Sequence, residues 1–259
     1  MSNLIRLDSF LKNILKLIGY RILKLSSYDK LISNSNSARH SKILHHFISG
    51  EIEMRYKSQF GQDIFVLCQS NFKKNGFFVE FGATDGVGIS NTYILEKEFG
   101  WSGILAEPAK IWHESLRSNR NSIIDERCVW SESKKKLDFR EADSYELSTI
   151  ESYSSLDMHK NARKSGSIYQ VETISLMDLL IEHNAPQEID YLSIDTEGSE
   201  FEILQNFDFN KYNIKIITIE HNYTQMREKI FELLVSHGYK RVFVELSEVD
   251  DWYIKPDAF

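Results

Sequence analysis

Cysteine, long apolar runs and surplus positive charge are all scarce in this 259-residue sequence. Its two cysteines, Cys68 and Cys128, lie far apart and outside any CxxC pair. This excludes a disulfide scaffold and a thiolate zinc site, and it fits a reducing compartment. No uninterrupted run of about 18 apolar residues occurs, so a membrane-spanning helix is not expected. The formal net charge of −7 argues against nucleic-acid binding driven by overall charge.

Hydrophobic residues make up 42% of the chain and charged residues 27%, which excludes a mainly disordered protein. The charge is unevenly distributed, because residues 1–50 sum to +6 and the remainder to −13. Within the basic part, apolar residues recur at helical steps: Leu4, Leu7, Leu11, Ile14, Ile18, Ile22 and Leu25. We therefore predict an N-terminal amphipathic helix and polar linker over residues 1–50, followed by one domain over residues 51–259.

Two interpretations of this helix stay open. Residues 1–25 either pack on the body or on a partner subunit, giving self-association, or rest on an anionic membrane. Charges interrupt the apolar stretch and no small-residue cleavage site follows it, so a signal peptide is not expected. The expected location is the cytoplasm, with peripheral contact at the inner face of a membrane as the alternative.

The body alternates between buried-strand and helix patterns, which predicts an α/β fold with a doubly wound, mostly parallel sheet. The predicted strands are residues 76–81, 103–106, 123–129, 189–194 and 214–219, and residues 241–246 and 252–254 read as a C-terminal antiparallel hairpin. The predicted helices are residues 90–99, 109–117 and 175–183, one beginning at Ser199, and residues 223–236 with Gly238 as the C-cap. Residues 132–172 are polar and break the alternation, so we expect a lid or substrate insertion there.

A glycine-rich turn follows the first predicted strand in the stretch EFGATDGVG, residues 80–88. Gly82 and Gly86 allow a sharp turn and close approach of a ligand, but the spacing is not the GxGxxG of a dinucleotide site. Glu80 and Asp85 would repel a phosphate and suit a ligand bearing a sulfonium or ammonium charge, which favours S-adenosylmethionine over NAD. Glu107 ends the second strand, where an acidic side chain can accept both ribose hydroxyls.

Acidic residues also follow two later strands. Asp195 and Glu197 come directly after one, and Glu220, His221 and Asn222 end the next. Because parallel strands end at the same edge of a sheet, these groups are expected in one crevice, for acid–base chemistry or for a divalent cation. The alternative is that the acids cap a helix and that the histidine is a hydrogen-bonded turn residue.

Five stretches resemble the FkbM-type family of S-adenosylmethionine-dependent methyltransferases. They are SQFGQD (58–63), FVEFGATDG (78–86), GILAEP (103–108), VETISLMDLL (171–180) and IDYLSIDTEGSE (189–200). The resemblance covers about residues 55–245 and implies a seven-stranded, Rossmann-like methyltransferase sheet. Glu80 stands where the family commonly has Asp, and Ser193 stands where it often has Lys. The second departure leaves open what neutralises the acidic groups.

The resemblance also implies a cofactor site. Glu80, Gly82 and Asp85 would line the methionine end of S-adenosylmethionine, Glu107 would bind the ribose, and Arg127 and Cys128 would lie near the adenine. The predicted site is completed by Ala83, Gly86, Asn91, Pro108 and Asp195.

Methyl transfer to a hydroxyl needs a base or a metal to take its proton. We expect Asp195 or His221 to be the base, with Glu220 orienting the histidine. A divalent metal held by Asp195, Glu220 and His221 is the variant and is not favoured.

The expected reaction is O-methylation of a carbohydrate, either a sugar nucleotide or a surface-polysaccharide unit. The predicted substrate-binding residues are Glu197, Ser148, Tyr153 and Asn222. The alternatives are a lipid or polyketide hydroxyl as acceptor, a metal-dependent glycosyltransferase using Asp195-Thr196-Glu197, an NAD oxidoreductase, and a non-enzymatic membrane adaptor.

Overall fold

The structure, a computed structural model, describes residues 57–256. Its α-helices are α1 Gln62–Gln69, α2 Tyr93–Phe99, α3 His113–Asn119, α4 Leu176–Glu182, α5 Glu200–Gln205 and α6 Met226–Ser236. Its strands are β1 Phe77–Phe81, β2 Ser102–Ala106, β3 Ile123–Asp125, β4 Cys128–Trp130, β5 Lys136–Ala142, β6 Thr149–Ile150, β7 Gly166–Ser175, β8 Glu188–Ile194, β9 Asn213–Glu220, β10 Lys240–Val242 and β11 Asp250–Ile254. The predicted N-terminal helix, linker and boundary near residue 50 lie outside the described residues.

The main sheet has seven strands in the order β10-β11-β9-β8-β1-β2-β3. The pairs from β9 to β3 are parallel, whereas β11 is antiparallel to both of its neighbours. From β1 the chain builds outward to β2 and β3 on one side, and later to β8 and β9 on the other. The strand order therefore reverses between β1 and β8, which is where sheets of this kind bind ligands. The prediction of a seven-stranded, mostly parallel sheet is confirmed.

The central strands are buried because helices cover both faces of a parallel sheet. Ile189, Leu192 and Ile194 on β8, for example, are at most 1% exposed. The core that contains them also includes apolar residues of three helices, Leu179, Leu180, Ile203, Leu204, Ile230 and Leu234. This packing fixes the strand ends against one another.

Two helix ends follow their sequence signals. The Ser175 hydroxyl accepts a hydrogen bond from the Asp178 backbone N–H at 3.1 Å and caps the start of α4. Gly238, with φ +85°, lies just past α6, and its N–H donates to the Val235 carbonyl at 3.0 Å. The predicted role of Gly238 as a C-cap is confirmed.

The single strand predicted over residues 123–129 is wrong. The chain forms β3 in the main sheet and then leaves it as β4, which pairs with β7 in a second sheet ordered β4-β7-β5-β6. The chain changes from one sheet to the other at Arg127, which lies between β3 and β4. The guanidinium of Arg127 binds the carboxylates of Asp125 and Glu182.

Residues 132–172 are not a structureless polar loop, since they contain β5, β6 and most of β7. The β5–β7 pair buries only a few apolar side chains, among them Phe139 and Val171, and exposes the other face. Such one-sided strands are polar in overall composition, which hid them in the sequence. Their role as a lid stays a prediction.

The C-terminal antiparallel pair is present as β10 and β11, but β10 ends at Val242 instead of residue 246. Phe243 has φ +56°, a left-handed conformation that interrupts the strand. No helix among residues 57–256 is long and apolar enough to cross a membrane.

Candidate active site

A cleft lies at the carboxyl ends of β1, β2 and β8, between the main sheet and the second sheet. It holds about 610 Å³ of empty space, including its solvent-filled mouth. The wall on the main-sheet side includes Gly82, Thr84, Glu107, Pro108, Asp195, Thr196 and Glu197. The wall on the other side includes Cys128, Phe139, Tyr145, Ser148 and Ile150. The cleft therefore lies at the switch point of the sheet.

Gly82 is required where the β1 and β8 loops meet. Its φ is +72°, and a Cβ built on it would lie 2.1 Å from the Asp195 carbonyl oxygen. Its N–H donates to the Ala106 carbonyl at 3.1 Å, which also fixes it against β2. Three strand ends are thus brought together at a residue without a side chain, and a ligand can lie directly on the backbone there.

Glu107 presents a buried carboxyl group to the cleft. Its Oε2 accepts from the Thr84 N–H and its Oε1 from the Ala109 N–H, both at 2.8 Å. Burial raises the pKa of Glu107 to about 7, against the lowering effect of these two hydrogen bonds. The side chain is held in one orientation and lies where the ribose of a nucleoside was predicted to bind.

Glu80 is placed differently from Glu107, because it does not line the cleft. Its carboxylate accepts from the Asn91 N–H at 2.7 Å, the Thr92 hydroxyl at 2.5 Å and the Ser90 hydroxyl, and it fixes the segment before α2. The Asn91 amide in turn donates to the Ser193 hydroxyl at 2.8 Å. Cofactor contact by Glu80 and Asn91 stays a prediction, and in the structure both act within the wall behind the cleft.

The remaining residues of the glycine turn mainly shape the loop. Asp85 Oδ1 accepts from the N–H groups of Val87 and Gly88 at 2.8 Å each. A Cβ on Gly86 would lie 2.6 Å from Arg120 Cγ, so this glycine allows the turn to pack on α3. Ala83 is fully buried. None of these side chains is among the residues that line the cleft.

Of Arg127 and Cys128, the two residues predicted near the adenine, only Cys128 lines the cleft. Pro108 and Cys128 line the cleft, and burial raises the pKa of the Cys128 thiol to about 12, so the thiol is neutral. Arg127 does not line the cleft, because its guanidinium is held by Asp125 at 2.6 Å and by Glu182 at 2.8 Å.

Three carboxyl groups meet at the other end of the cleft. One oxygen from each of Asp195, Glu197 and Glu220 lies within 4.8 Å of the others. Burial, followed by the neighbouring charge of Glu200, raises the pKa of Asp195 to about 7. Burial and the Asp195 charge also raise the pKa values of Glu197 and Glu220 well above their usual range. The cluster therefore holds protons near neutral pH or requires a cation.

Arg163 supplies a positive charge to this cluster, and sequence reasoning missed it. Its guanidinium is completely buried and donates to Glu197 Oε2 at 2.5 Å and Asp157 Oδ1 at 2.7 Å. Glu197 has φ +59°, and its carbonyl accepts from the Thr149 hydroxyl at 3.0 Å. The insertion thus holds Glu197 in a left-handed conformation. Arg163 also neutralises part of the negative charge of the cluster, which has a serine and not a lysine beside it at position 193.

His221 faces away from the three carboxyl groups. Its Nδ1 accepts from the Tyr223 N–H at 3.0 Å, and its Nε2 lies 3.8 Å from Asp251 Oδ1. Burial lowers the pKa of His221 to about 4, so the ring is neutral at pH 7. His221 does not line the cleft. The third residue beside Asp195 and Glu220 whose oxygen could bind a cation is Glu197, and not His221 as predicted. Of the two predicted bases, Asp195 lines the cleft and His221 does not.

The predicted substrate-binding residues are split as well. Ser148 and Glu197 line the cleft. Asn222 lies behind Glu197, with its amide donating to Glu197 Oε2 at 3.2 Å. Tyr153 covers Gly198, where a Cβ would lie 3.0 Å from its ring, and it packs edge-on against Trp130. Tyr153 therefore supports the loop of Glu197 and is not among the cleft-lining residues.

The fold and the cleft define a class of α/β enzyme that binds its ligand at the switch point of a doubly wound sheet, among carboxyl groups. Residues 80–241 match the family model of the methyltransferase FkbM domain. The chain therefore belongs to the FkbM methyltransferase family, is a methyltransferase, and by family uses S-adenosylmethionine. A bare glycine beside the carboxyl group of Glu107 and a far end lined by carboxyl groups fit this cationic nucleoside.

Two solved structures are similar to this chain. One is precorrin-6y C5,15-methyltransferase from Geobacter metallireducens GS-15, with 12% identity, a TM-score of 0.38, and coverage of 74% of this chain and 85% of that chain. The other is a mutant of MtNAS, with 11% identity, a TM-score of 0.35, and coverage of 95% and 88%. No curated protein sequence matches the chain.

Proposed function

We propose that this methyltransferase is an O-methyltransferase that acts on a hydroxyl of a carbohydrate, either a sugar nucleotide or a surface-polysaccharide unit. The observation that carries the chemical part is Asp195, a cleft-lining carboxyl group whose pKa is raised to about 7. A base of that pKa takes a hydroxyl proton effectively near neutral pH. The carbohydrate part is supported by the family resemblance and by the polar groups around the cleft.

Glu107 would bind the ribose hydroxyls of S-adenosylmethionine, and Gly82 would let it approach the backbone. When bound, this cofactor supplies a methyl group on a positively charged sulfur. Asp195 removes the proton from the acceptor hydroxyl, and burial together with the charge of Glu200 holds the pKa of Asp195 high. Phe139, Tyr145 and Ile150 form the opposite wall and exclude water from the reacting oxygen.

The test is a methyl-transfer assay on the full chain with sugar nucleotides as acceptors and S-adenosylhomocysteine as the measured product. Asp195→Asn should lower kcat by about 10²–10⁴-fold, while binding of S-adenosylhomocysteine persists. Asp138→Asn, an exposed site on β5, is the matched control and should leave kcat unchanged.

The turnover number kcat should decrease as the pH is lowered below 7. Asp195 must be ionised to accept a proton, and its pKa is about 7, so kcat should fall about tenfold per pH unit below 7. Near-normal turnover of Asp195→Asn, or a flat profile between pH 5 and 7, would contradict the assignment.

A divalent cation held by Asp195, Glu197 and Glu220 is the second version of the same chemistry, supported by the 4.8 Å grouping of their oxygens. It would take the place of the base by lowering the pKa of the acceptor hydroxyl. Full turnover after exhaustive dialysis against EDTA would remove this version and leave Asp195 as the base.

A further inference from the structure

A second, basic cavity lies on the insertion, outside the cleft. Its lining contains four positively charged side chains, Arg140, Lys160, Arg163 and Lys164, together with the hydroxyls of Ser154 and Ser155. It holds about 910 Å³ of empty space, including solvent at its mouth, and no carboxylate is among its lining residues. This cavity is therefore positively charged, whereas the whole chain has a formal net charge of −7.

The four charges are not equally compensated. Arg140 forms a bidentate ion pair with Glu151, with N–O distances of 2.5 and 2.7 Å. Arg163 forms ion pairs with Asp157 and Glu197. Lys160 and Lys164 have no ion pair with any residue in the described range 57–256 and are exposed. The Ser154 hydroxyl is held by the Glu151 carboxylate, so the donors left in the cavity are the two exposed ammonium groups and the Ser155 hydroxyl. A phosphate or diphosphate accepts hydrogen bonds from both kinds of donor.

The basic cavity and the cleft share a connecting residue. Arg163 lines the cavity, and its Nη2 donates to the carboxylate of Glu197, which lines the cleft. One buried guanidinium thus separates the two spaces. A ligand with its anionic group in the cavity has to extend past the Arg163–Glu197 pair to bring its neutral part to Asp195, whereas the carboxyl groups of the cleft would repel the anionic group itself.

We propose that this basic cavity binds the phosphate or diphosphate of the methyl acceptor, which makes the acceptor a phosphorylated sugar. The inference rests on the proposed carbohydrate O-methylation and narrows it. The phosphate has two chemical sources, a soluble nucleotide and a lipid carrier. Leu156 and Met158, shortly before Lys160 in the chain, are 66% and 56% exposed. These apolar side chains would suit a lipid carrier.

The first experiment titrates the full chain with inorganic pyrophosphate by calorimetry, so that no turnover is needed. Lys160→Ala/Lys164→Ala should weaken binding at least tenfold. Lys211→Ala/Lys240→Ala removes two exposed lysines elsewhere, has the same net charge, and should bind like the wild type. Binding of S-adenosylhomocysteine should be equal in all three proteins, which shows that they are folded. Absent binding to the wild type, or equal binding by all three, overturns the proposal.

The second experiment measures methyl transfer to UDP-glucose and to a polyprenyl diphosphate sugar in detergent micelles. The Lys160→Ala/Lys164→Ala variant should show a raised KM for at least one of them, with kcat unchanged, and the better acceptor identifies the phosphate source. A KM that does not depend on the two lysines for either acceptor contradicts the proposal. Failure of every sugar acceptor contradicts carbohydrate methylation itself, and it is distinguishable because the pyrophosphate titration is independent of it.

Discussion

Arg163 contributes a buried guanidinium to the cluster of Asp157 and Glu197. Removing one partner of a buried ion pair leaves the other charges without compensation, at a cost of about 3–5 kcal/mol. Arg163→Leu should therefore lower the free energy of unfolding by about that amount, as measured by urea denaturation at pH 7.

Arg140→Leu is the matched control for this substitution. The Arg140–Glu151 pair has side chains that are 16% and 34% exposed, and solvent screens it. Its loss should cost about 1 kcal/mol or less. An equal loss of unfolding free energy in the two variants would show that burying the Arg163 ion pairs does not add to stability.

Glu107 should make the stability of the ligand-free protein depend on pH. Its pKa is about 7 in the folded protein and 4.5 as the reference value, so between these values the folded state binds more protons than the unfolded state. Stability should consequently decrease as pH rises from 4.5 to 7 and level off above, by up to about 3 kcal/mol.

The measurement is the free energy of unfolding of wild type and Glu107→Gln over pH 5–8. The glutamine variant has no carboxyl group there and should lose less stability as the pH rises. An identical slope in the two proteins would show that Glu107 does not titrate with a raised pKa.

At the scale of secondary-structure elements, the site depends on how closely the ends of β1 and β8 approach. Gly82→Ala introduces a Cβ at 2.1 Å from the Asp195 carbonyl and places alanine at φ +72°. Gly238→Ala has a similar backbone demand, φ +85°, but its Cβ meets nothing within 4 Å. The backbone cost of about 1–2 kcal/mol applies to both, and the collision applies to Gly82 alone.

We therefore expect Gly82→Ala to lower stability by clearly more than Gly238→Ala and to abolish binding of S-adenosylhomocysteine. Urea denaturation and calorimetry measure the two effects. Normal ligand binding by Gly82→Ala would mean that the loops separate easily and that the close approach is not required.

The second sheet acts as one element in the site. Its residues Phe139 and Ile150, with Ser148 just before β6, form the wall opposite the main sheet. Thr149 of β6 and Arg163, in the segment before β7, fix Glu197. The polar insertion is therefore joined to the acidic end of the cleft through specific hydrogen bonds.

At the scale of the whole molecule, a ligand that bridges β1, β2 and β8 should stabilise the entire sheet. At 100 times its dissociation constant a ligand adds about 2.7 kcal/mol, which corresponds to about 5–10 °C in Tm for a domain of this size. S-adenosylhomocysteine should produce this shift in a thermal denaturation experiment.

NAD is the matched comparison, because it also contains adenosine but carries a diphosphate that Glu107 and Asp195 repel. It should not raise the Tm of the Lys160→Ala/Lys164→Ala variant, which lacks the proposed diphosphate site. A shift with NAD and none with S-adenosylhomocysteine would contradict the electrostatic account of the cleft.

The central strands, the turn at Gly82 and the acidic strand ends of Glu107, Asp195 and Glu220 can be read from the amino-acid sequence. These depend on local patterns, since continuous apolar runs bury strands and glycine permits positive φ. Parallel pairing then places the strand ends at one edge, which is why the cleft could be predicted.

The packing of the folded chain sets how the side chains at that edge are used. It turned Glu80 and His221 away from the cleft, divided the third strand between two sheets, and brought Arg163 to Glu197 across 34 residues of chain. No local pattern contains such information, because the direction of a side chain at a strand end depends on partners that arrive from distant segments. The charge balance of the active site therefore follows from long-range packing.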